Sequence, residues 1–236
     1  MLISIDHEVL EKYPNAEIGY LVARVNVKKS DPYVESLKQT LAKKLEEEGI
    51  NATNFVVHPS ISQWRRIYEN DFQVKAKLHR SSIEALLKRV VTGKEIWKIC
   101  SVVDLYNCCS VLSLLPMGGY DLKKVSGDVR IRYAKDGEPF WSLGKKESIA
   151  TRVNQVVYAD DQRIMCWLWN HKDSAETCID ETSKLVLFFI DSFDHNQVQF
   201  ALNELEKRLE NIQCASLEKG VLNKSSPEAS LKGIDS

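Results

Sequence analysis

The chain has 236 residues, 44% of them hydrophobic and 28% charged, with a formal net charge of −1. This balance suits one large or two small soluble globular domains and excludes a global positive field, so any nucleic-acid contact must be local and salt-sensitive. Met1 to Leu10 carries Asp6 and Glu8 without the apolar run of a signal peptide, and no stretch reaches the ~20 apolar residues of a membrane span; a cytoplasmic location without a membrane partner is expected.

Residues 18–27 are rich in β-branched and aromatic types and predict a buried strand. Asp31-Pro32 opens a helix that carries Val34, Leu37, Leu41 and Leu45 on one face and closes at Gly49. The segment NATNFVV reads as a second strand, and Ser60 to Glu69 as a helix with Arg65 and Arg66 on one side. Ser81 with Glu84 three residues on is a capping box, followed by the apolar face Ile83, Leu86, Leu87 and Val90. Ser101 with Asp104 repeats the pattern and opens a helix through Leu114, stopped by Pro116. Val129, Ile131 and Tyr133 alternate with charged residues, and NQVVYAD, RIMCWLW and KLVLFFI predict three more strands. Asp194 opens a last helix to about Ile212, after which residues 214–236 read as a flexible tail. Helices and strands mix without regular βαβ alternation. The expected class is therefore α+β (α/β in the broad sense), a layered sandwich of mainly antiparallel sheets with helices, in a single domain over 1–213.

Six cysteines occur without a C-x-x-C pair, so reduced thiols and no zinc site are expected; Cys108 and Cys109 are placed on a helix, one in the core and one beside it. No phosphate loop or G-x-S-x-G elbow is present, and no cofactor is expected. The informative region is 80–191, where polar residues gather with Gly, Pro and aromatics at helix starts and strand turns.

Three runs there carry a resemblance: RSSIEALLKRV (80–90), VVDLYNCCSVLSLLPMGGYDLKKVSGDVRIRYAKDGEPFWSLG (102–144) and VVYADDQRIMCWLWNHKDSAETCIDETSKLVLFFID (156–191). Together they resemble the B3/B4 domain, the editing module of the phenylalanyl-tRNA synthetase beta subunit, which also occurs as a stand-alone protein. The stand-alone form is the more similar, through its SSxEAL box, VDLYN helix, LPxGGYD turn, GExF hairpin and WNxxDS segment. The synthetase histidine of the G-Q-P-x-H-A-F-D turn aligns with Gly118 here.

What this resemblance implies is hydrolysis in trans of the ester in a misacylated aminoacyl-tRNA, with the tRNA 3′ end as partner and no DNA. An aminoacyl ester is already activated, so holding its carbonyl and a water in line, beside neutral donors, supplies much of the rate. The resemblance implies Asn107, Glu138 and Asn170 as catalytic residues and Arg80, Ser82, Pro116, Gly118, Gly119, Asp173 and Thr182 as substrate-binding residues. Each has a plainer reading: Asn107 as a buried tie, Gly118 and Gly119 as backbone turn residues, Ser81 and Glu84 as caps, Gly137-Glu138 as a hairpin turn, Thr182 as a loop cap. His171 is a weak general-base candidate and reads more simply as a surface loop histidine. Arg65, Arg66, Lys123, Lys124, Lys145, Lys146 and Arg152 would form a tRNA track or a scattered solvated surface. A second function class is a non-catalytic module that binds an amino acid, an aminoacyl group or RNA. A third is a protein adaptor using a helical surface around Trp64 and Tyr68. The amino acid, the tRNA and the oligomeric state stay open.

Overall fold

The computed structural model describes residues 1–145 and 147–232. In chain order the elements are β1 (Leu2–Ile5), α1 (His7–Lys12), β2 (Glu17–Arg24), α2 (Pro32–Glu47), α3 (Pro59–Arg66), α4 (Ser82–Val91), α5 (Ser101–Ser113), β3 (Met117–Asp121), β4 (Val129–Tyr133), β5 (Pro139–Phe140), β6 (Ile149–Ala150), β7 (Val156–Ala159), β8 (Ile164–Trp167), β9 (Lys172–Asp173), β10 (Leu185–Ser192), α6 (His195–Asn211), β11 (Ala215–Leu222) and β12 (Glu228–Ser230). Strands β11-β2-β10-β3 form an antiparallel sheet, and β12-β1-β4-β7-β8-β9 form a second in which only the β1–β4 pair is parallel. The mixed class and the antiparallel bias expected from the sequence are what the fold has.

Helices α5 and α6 cover one face of the four-stranded sheet. Gly19 explains how closely α6 seats on β2: a Cβ there would stand 2.7 Å from Val198 Cγ2. The other face meets the six-stranded sheet, where Tyr158 packs on Phe189 and stacks with Tyr120. Apolar side chains from Ile3 to Leu231 join one core.

Four sequence expectations change. NATNFVV is not a strand: the Asn51 side chain accepts from Thr53 N and the Asn54 side chain from Asn51 N, and the segment turns into a 3₁₀ helix over Phe55–Val57. Local side-chain bonding overrides the β-propensity of the two valines. The residue capping α5 is Cys100, not Ser101. Ser101 Oγ accepts instead from Lys28 N, and Asp104 reaches back to Ile99 N at 2.8 Å and takes Lys38 Nζ at 2.6 Å. Cys108 and Cys109 are both in the core, because α5 is buried on nearly every side. The segment from residue 214 on, expected as a flexible tail, is built into both sheets through Ser230, β11 pairing with β2 along its length and β12 with β1. Its small and polar composition is that of edge strands, which hold place by backbone bonds and need few large side chains.

Candidate functional site

Alternation along two facing sheets builds the site. In the six-stranded sheet Tyr158 lies opposite Cys166, and Cys166 opposite Asp173, so one row crosses β7, β8 and β9 on a single face. In the four-stranded sheet Gly118 pairs with Phe189 and Tyr120 with Leu187, which sets Gly118, Tyr120, Phe189 and Asp191 on the facing side. A cavity of about 30 Å³, the space of roughly one water, lies between them, lined also by Ser82, Trp169, Asn170 and His171.

The polar groups are tightly linked. Asp191 accepts from Tyr158 Oη with one oxygen and from Asn170 Nδ2 at 2.9 Å with the other. Asn170 Oδ1 accepts from Tyr68 Oη at 2.8 Å, and the Asn170 carbonyl accepts from Ser82 N at 2.8 Å. The Asn170 amide is thereby fixed in orientation with one N–H uncommitted. Tyr120 Oη donates to Asp173 at 2.9 Å. Ser82 Oγ, at the first turn of α4, is buried without a hydrogen-bond partner. His171 Nδ1 lies 2.6 Å from the Arg80 carbonyl, which can only accept, so Nδ1 carries the proton and Nε2 the lone pair.

Burial controls the titration of this set. It raises Asp191 to about 7 against its bonds from Tyr158 and Asn170, and raises Asp173 against its bond from Tyr120. It lowers His171 to about 4, so the ring is neutral at pH 7, and holds Tyr68, Tyr120 and Tyr158 protonated. Every group bonded to the two carboxylates within this network is neutral.

The turn that delivers Asn170 is strained. Leu168 and Trp169 both have positive φ, 53° and 64°, where bulky residues cost about 1–2 kcal/mol each. Both side chains are fully buried, and Trp169 packs edge-on against Trp64 and Tyr13, so the core holds the turn in place.

Of the residues singled out in the sequence, the structure brings Asn170, Ser82, Gly118 and Asp173 together at the cavity. Pro116 is adjacent, its carbonyl accepting from Asp191 N, and Arg80 contributes its carbonyl to His171 while its guanidinium faces Glu84. Gly119 points the other way, toward Ile179, Phe188 and Tyr106. Asn107 on α5, Glu138 and Thr182 do not line the cavity. Glu138 takes a two-point bond from Arg132; burial alone would raise its carboxyl, and that bond holds it below the ordinary range. It sits in a turn toward β5, which pairs with β6, not β4. Thr182 caps onto Asp180.

Trp64 and Tyr68 are core residues, 3% and 1% exposed, which removes the adaptor surface drawn around them. Among the basic residues, Arg65 is tied to Glu84 and Lys124 to Asp180, and Lys146 lies outside the described residues. Sequence reasoning missed Asp191, Tyr158 and Tyr120 as site residues. The signal available was Asp191 itself, a carboxylate ending an otherwise apolar strand. His171 is half-buried at the cavity, not a free surface loop residue.

Comparison with known proteins adds three findings. A model of the B3/4 domain matches residues 65–230. Two phenylalanine–tRNA ligase beta subunits are similar: that of Malacoplasma penetrans is 27% identical over 119 residues, half of this chain and 15% of the relative, and that of Mycoplasmoides gallisepticum is 29% identical over 111 residues, 47% and 14%. The chain thus spans about a seventh of the length of these relatives. The crystal structure of an N-terminal fragment of the phenylalanyl-tRNA synthetase beta subunit from Pyrococcus horikoshii shares the fold with a TM-score of 0.50 at 11% identity, over 91% of this chain and 49% of that one.

Proposed function

Because the chain belongs to the B3/4 domain family, we propose that it hydrolyses the ester of aminoacyl-tRNA, acting in the cytoplasm on the tRNA 3′ end. The observation that carries this reading is a pair of carboxylates, Asp173 and Asp191, set in a small cavity and bonded to neutral donors. Among the described residues no cation bonds to either carboxylate, and the α-ammonium group of an aminoacyl ester supplies one. The small space suits a polar group rather than a large side chain, so the ammonium end enters and the rest of the ester lies at the mouth.

The other groups then have tasks. The uncommitted N–H of Asn170 and the unpartnered Ser82 hydroxyl are neutral donors for the ester carbonyl oxygen as it gains negative charge. Water adds to the carbonyl carbon, the bond to the ribose oxygen breaks, and that oxygen leaves with a proton. Asn107, Glu138 and Thr182 are given no part.

Release of labelled amino acid from a panel of aminoacyl-tRNAs tests the proposal. Wild-type protein is expected to hydrolyse one or a few members, and Asp173→Asn to lower kcat/KM on them by about 100-fold, as expected for a lost charge contact to the substrate. A flat panel from folded protein would end the hydrolase reading. Tight binding of aminoacyl-tRNA without release would replace it with the non-catalytic module.

A further inference from the structure

The row Tyr158, Cys166, Asp173 does not stop at β9. Ser142 forms an antiparallel bridge with Ser174, while Leu143 N donates to the Asp173 carbonyl at 3.3 Å and Ala175 N to the Trp141 carbonyl at 3.1 Å. This register puts Leu143 opposite Asp173 and Trp141 opposite Ala175, on the face that holds the cavity. Ser142 and Ser174 take the other face and are 2% and 0% exposed. One face therefore runs from a buried polar cavity to a rim where Trp141 is 43% and Leu143 58% exposed.

Two large apolar side chains left in water side by side, at the edge of a polar site, mark a binding surface more than scattered exposure does. Lys145, two residues beyond Leu143 in the chain, is exposed, while Lys172 precedes Asp173 on β9 and is turned to the opposite face. An exposed aromatic ring with a lysine nearby in the chain suits a nucleic-acid strand, whose bases stack and whose phosphates meet the cation. With the polar end of an aminoacyl ester in the cavity, the nucleoside joined to that ester lies outside it, and Leu143 opposite Asp173 puts this apolar pair next to the lining.

We propose that Trp141 is the stacking platform for the terminal base of an RNA 3′ end, with Leu143 beside it and Lys145 receiving a phosphate. This rests on the aminoacyl-ester reading of the cavity and extends it to the RNA.

The test is fluorescence anisotropy with a 5′-labelled, uncharged RNA minihelix carrying an unpaired 3′ end, and with the same RNA lacking its last nucleotide. Trp141→Ala is expected to weaken binding of the full probe about tenfold and Trp141→Phe by less than about threefold, stacking being retained. Removing the last nucleotide should weaken wild-type binding by a similar factor and leave Trp141→Ala unchanged. Equal binding by wild type and Trp141→Ala, or an equal loss in both on shortening the probe, would overturn the platform. Thermal unfolding monitored by circular dichroism establishes that the variants are folded. Run beside the deacylation panel, the two readings separate. Trp141-dependent RNA binding without hydrolysis removes the hydrolase and keeps the platform; hydrolysis with Trp141-independent RNA binding does the reverse.

Discussion

Asp104 and Asp191 are both nearly closed to solvent, at 0% and 4% exposure, and their surroundings are opposite. Asp104 takes the Lys38 ammonium at 2.6 Å and caps Ile99 N; Glu84, equally buried, lies between Arg65 and Arg80. Asp191 and its half-buried neighbour Asp173 meet tyrosine hydroxyls and an amide. A buried carboxylate with its cation is a finished structural tie. One held by neutral donors keeps an unmet preference for positive charge, and here two of them share a cavity. The contrast separates the carboxylates that hold the fold from those available to a ligand.

The sharpest way to break the contrast is to strip the cation from the structural pair. Lys38→Met leaves Asp104 buried and uncompensated, and should cost about 3–5 kcal/mol in urea unfolding. A cost under about 1 kcal/mol would show that Asp104 does not depend on its partner. The next effect is the pH response of the unpaired set. Folding raises Asp191 to about 7 from an ordinary 3.8, so the folded chain binds the extra proton between those values and stability falls as pH rises through that window. Between pH 5 and pH 8 the loss from this group should be about 2–3 kcal/mol, and Asp191→Asn should remove it. An unchanged pH slope in that variant would place the titration elsewhere.

The smallest effect compares adjacent glycines on opposite faces of β3. An added Cβ at Gly119 meets Ile179 at 3.0 Å and Phe188 and Tyr106 at 3.2 Å within the core, so Gly119→Ala should destabilise by about 1–3 kcal/mol without touching the cavity. At Gly118 it meets Tyr120 Oη at 3.1 Å, the group that holds Asp173. Gly118→Ala should therefore push the Tyr120 hydroxyl off Asp173 and lower deacylation, with a smaller stability loss than Gly119→Ala because one contact is tight and not three. A reversed pattern would mean that the cavity faces were assigned wrongly.

The sequence carried the frame well because the frame is written locally. Apolar runs such as KLVLFFI, the Asp31-Pro32 start and the Ser81 cap each declare an element within a few residues, and each appears in the fold. The site was legible only where its residues cluster in the chain, as Asn170 and Asp173 do. Nothing near Tyr158 and Tyr120 in the chain marks them for the cavity, because their placement depends on two sheets meeting face to face. Glu138 and Thr182 misled for the converse reason. Both occupy polar turns of the kind that border sites, yet their side chains are spent on Arg132 and Asp180. Residues 214–232 misled by composition, since an edge strand held by backbone bonds needs little apolar side chain.

The threading of the sheets bears on how the chain is made. Register couples Arg24 of β2 to Leu185 and to Ala215, and Leu2 of β1 to Ser230. During synthesis β1 and β2 emerge long before these partners exist, and β2 carries an almost wholly apolar run with both edges open. Closure over such sequence distances is slow, and an unpaired apolar edge recruits other chains meanwhile. The candidate site inherits the delay: Asp191 belongs to β10, so the cavity takes shape only when the late strands fall into place beside the early ones.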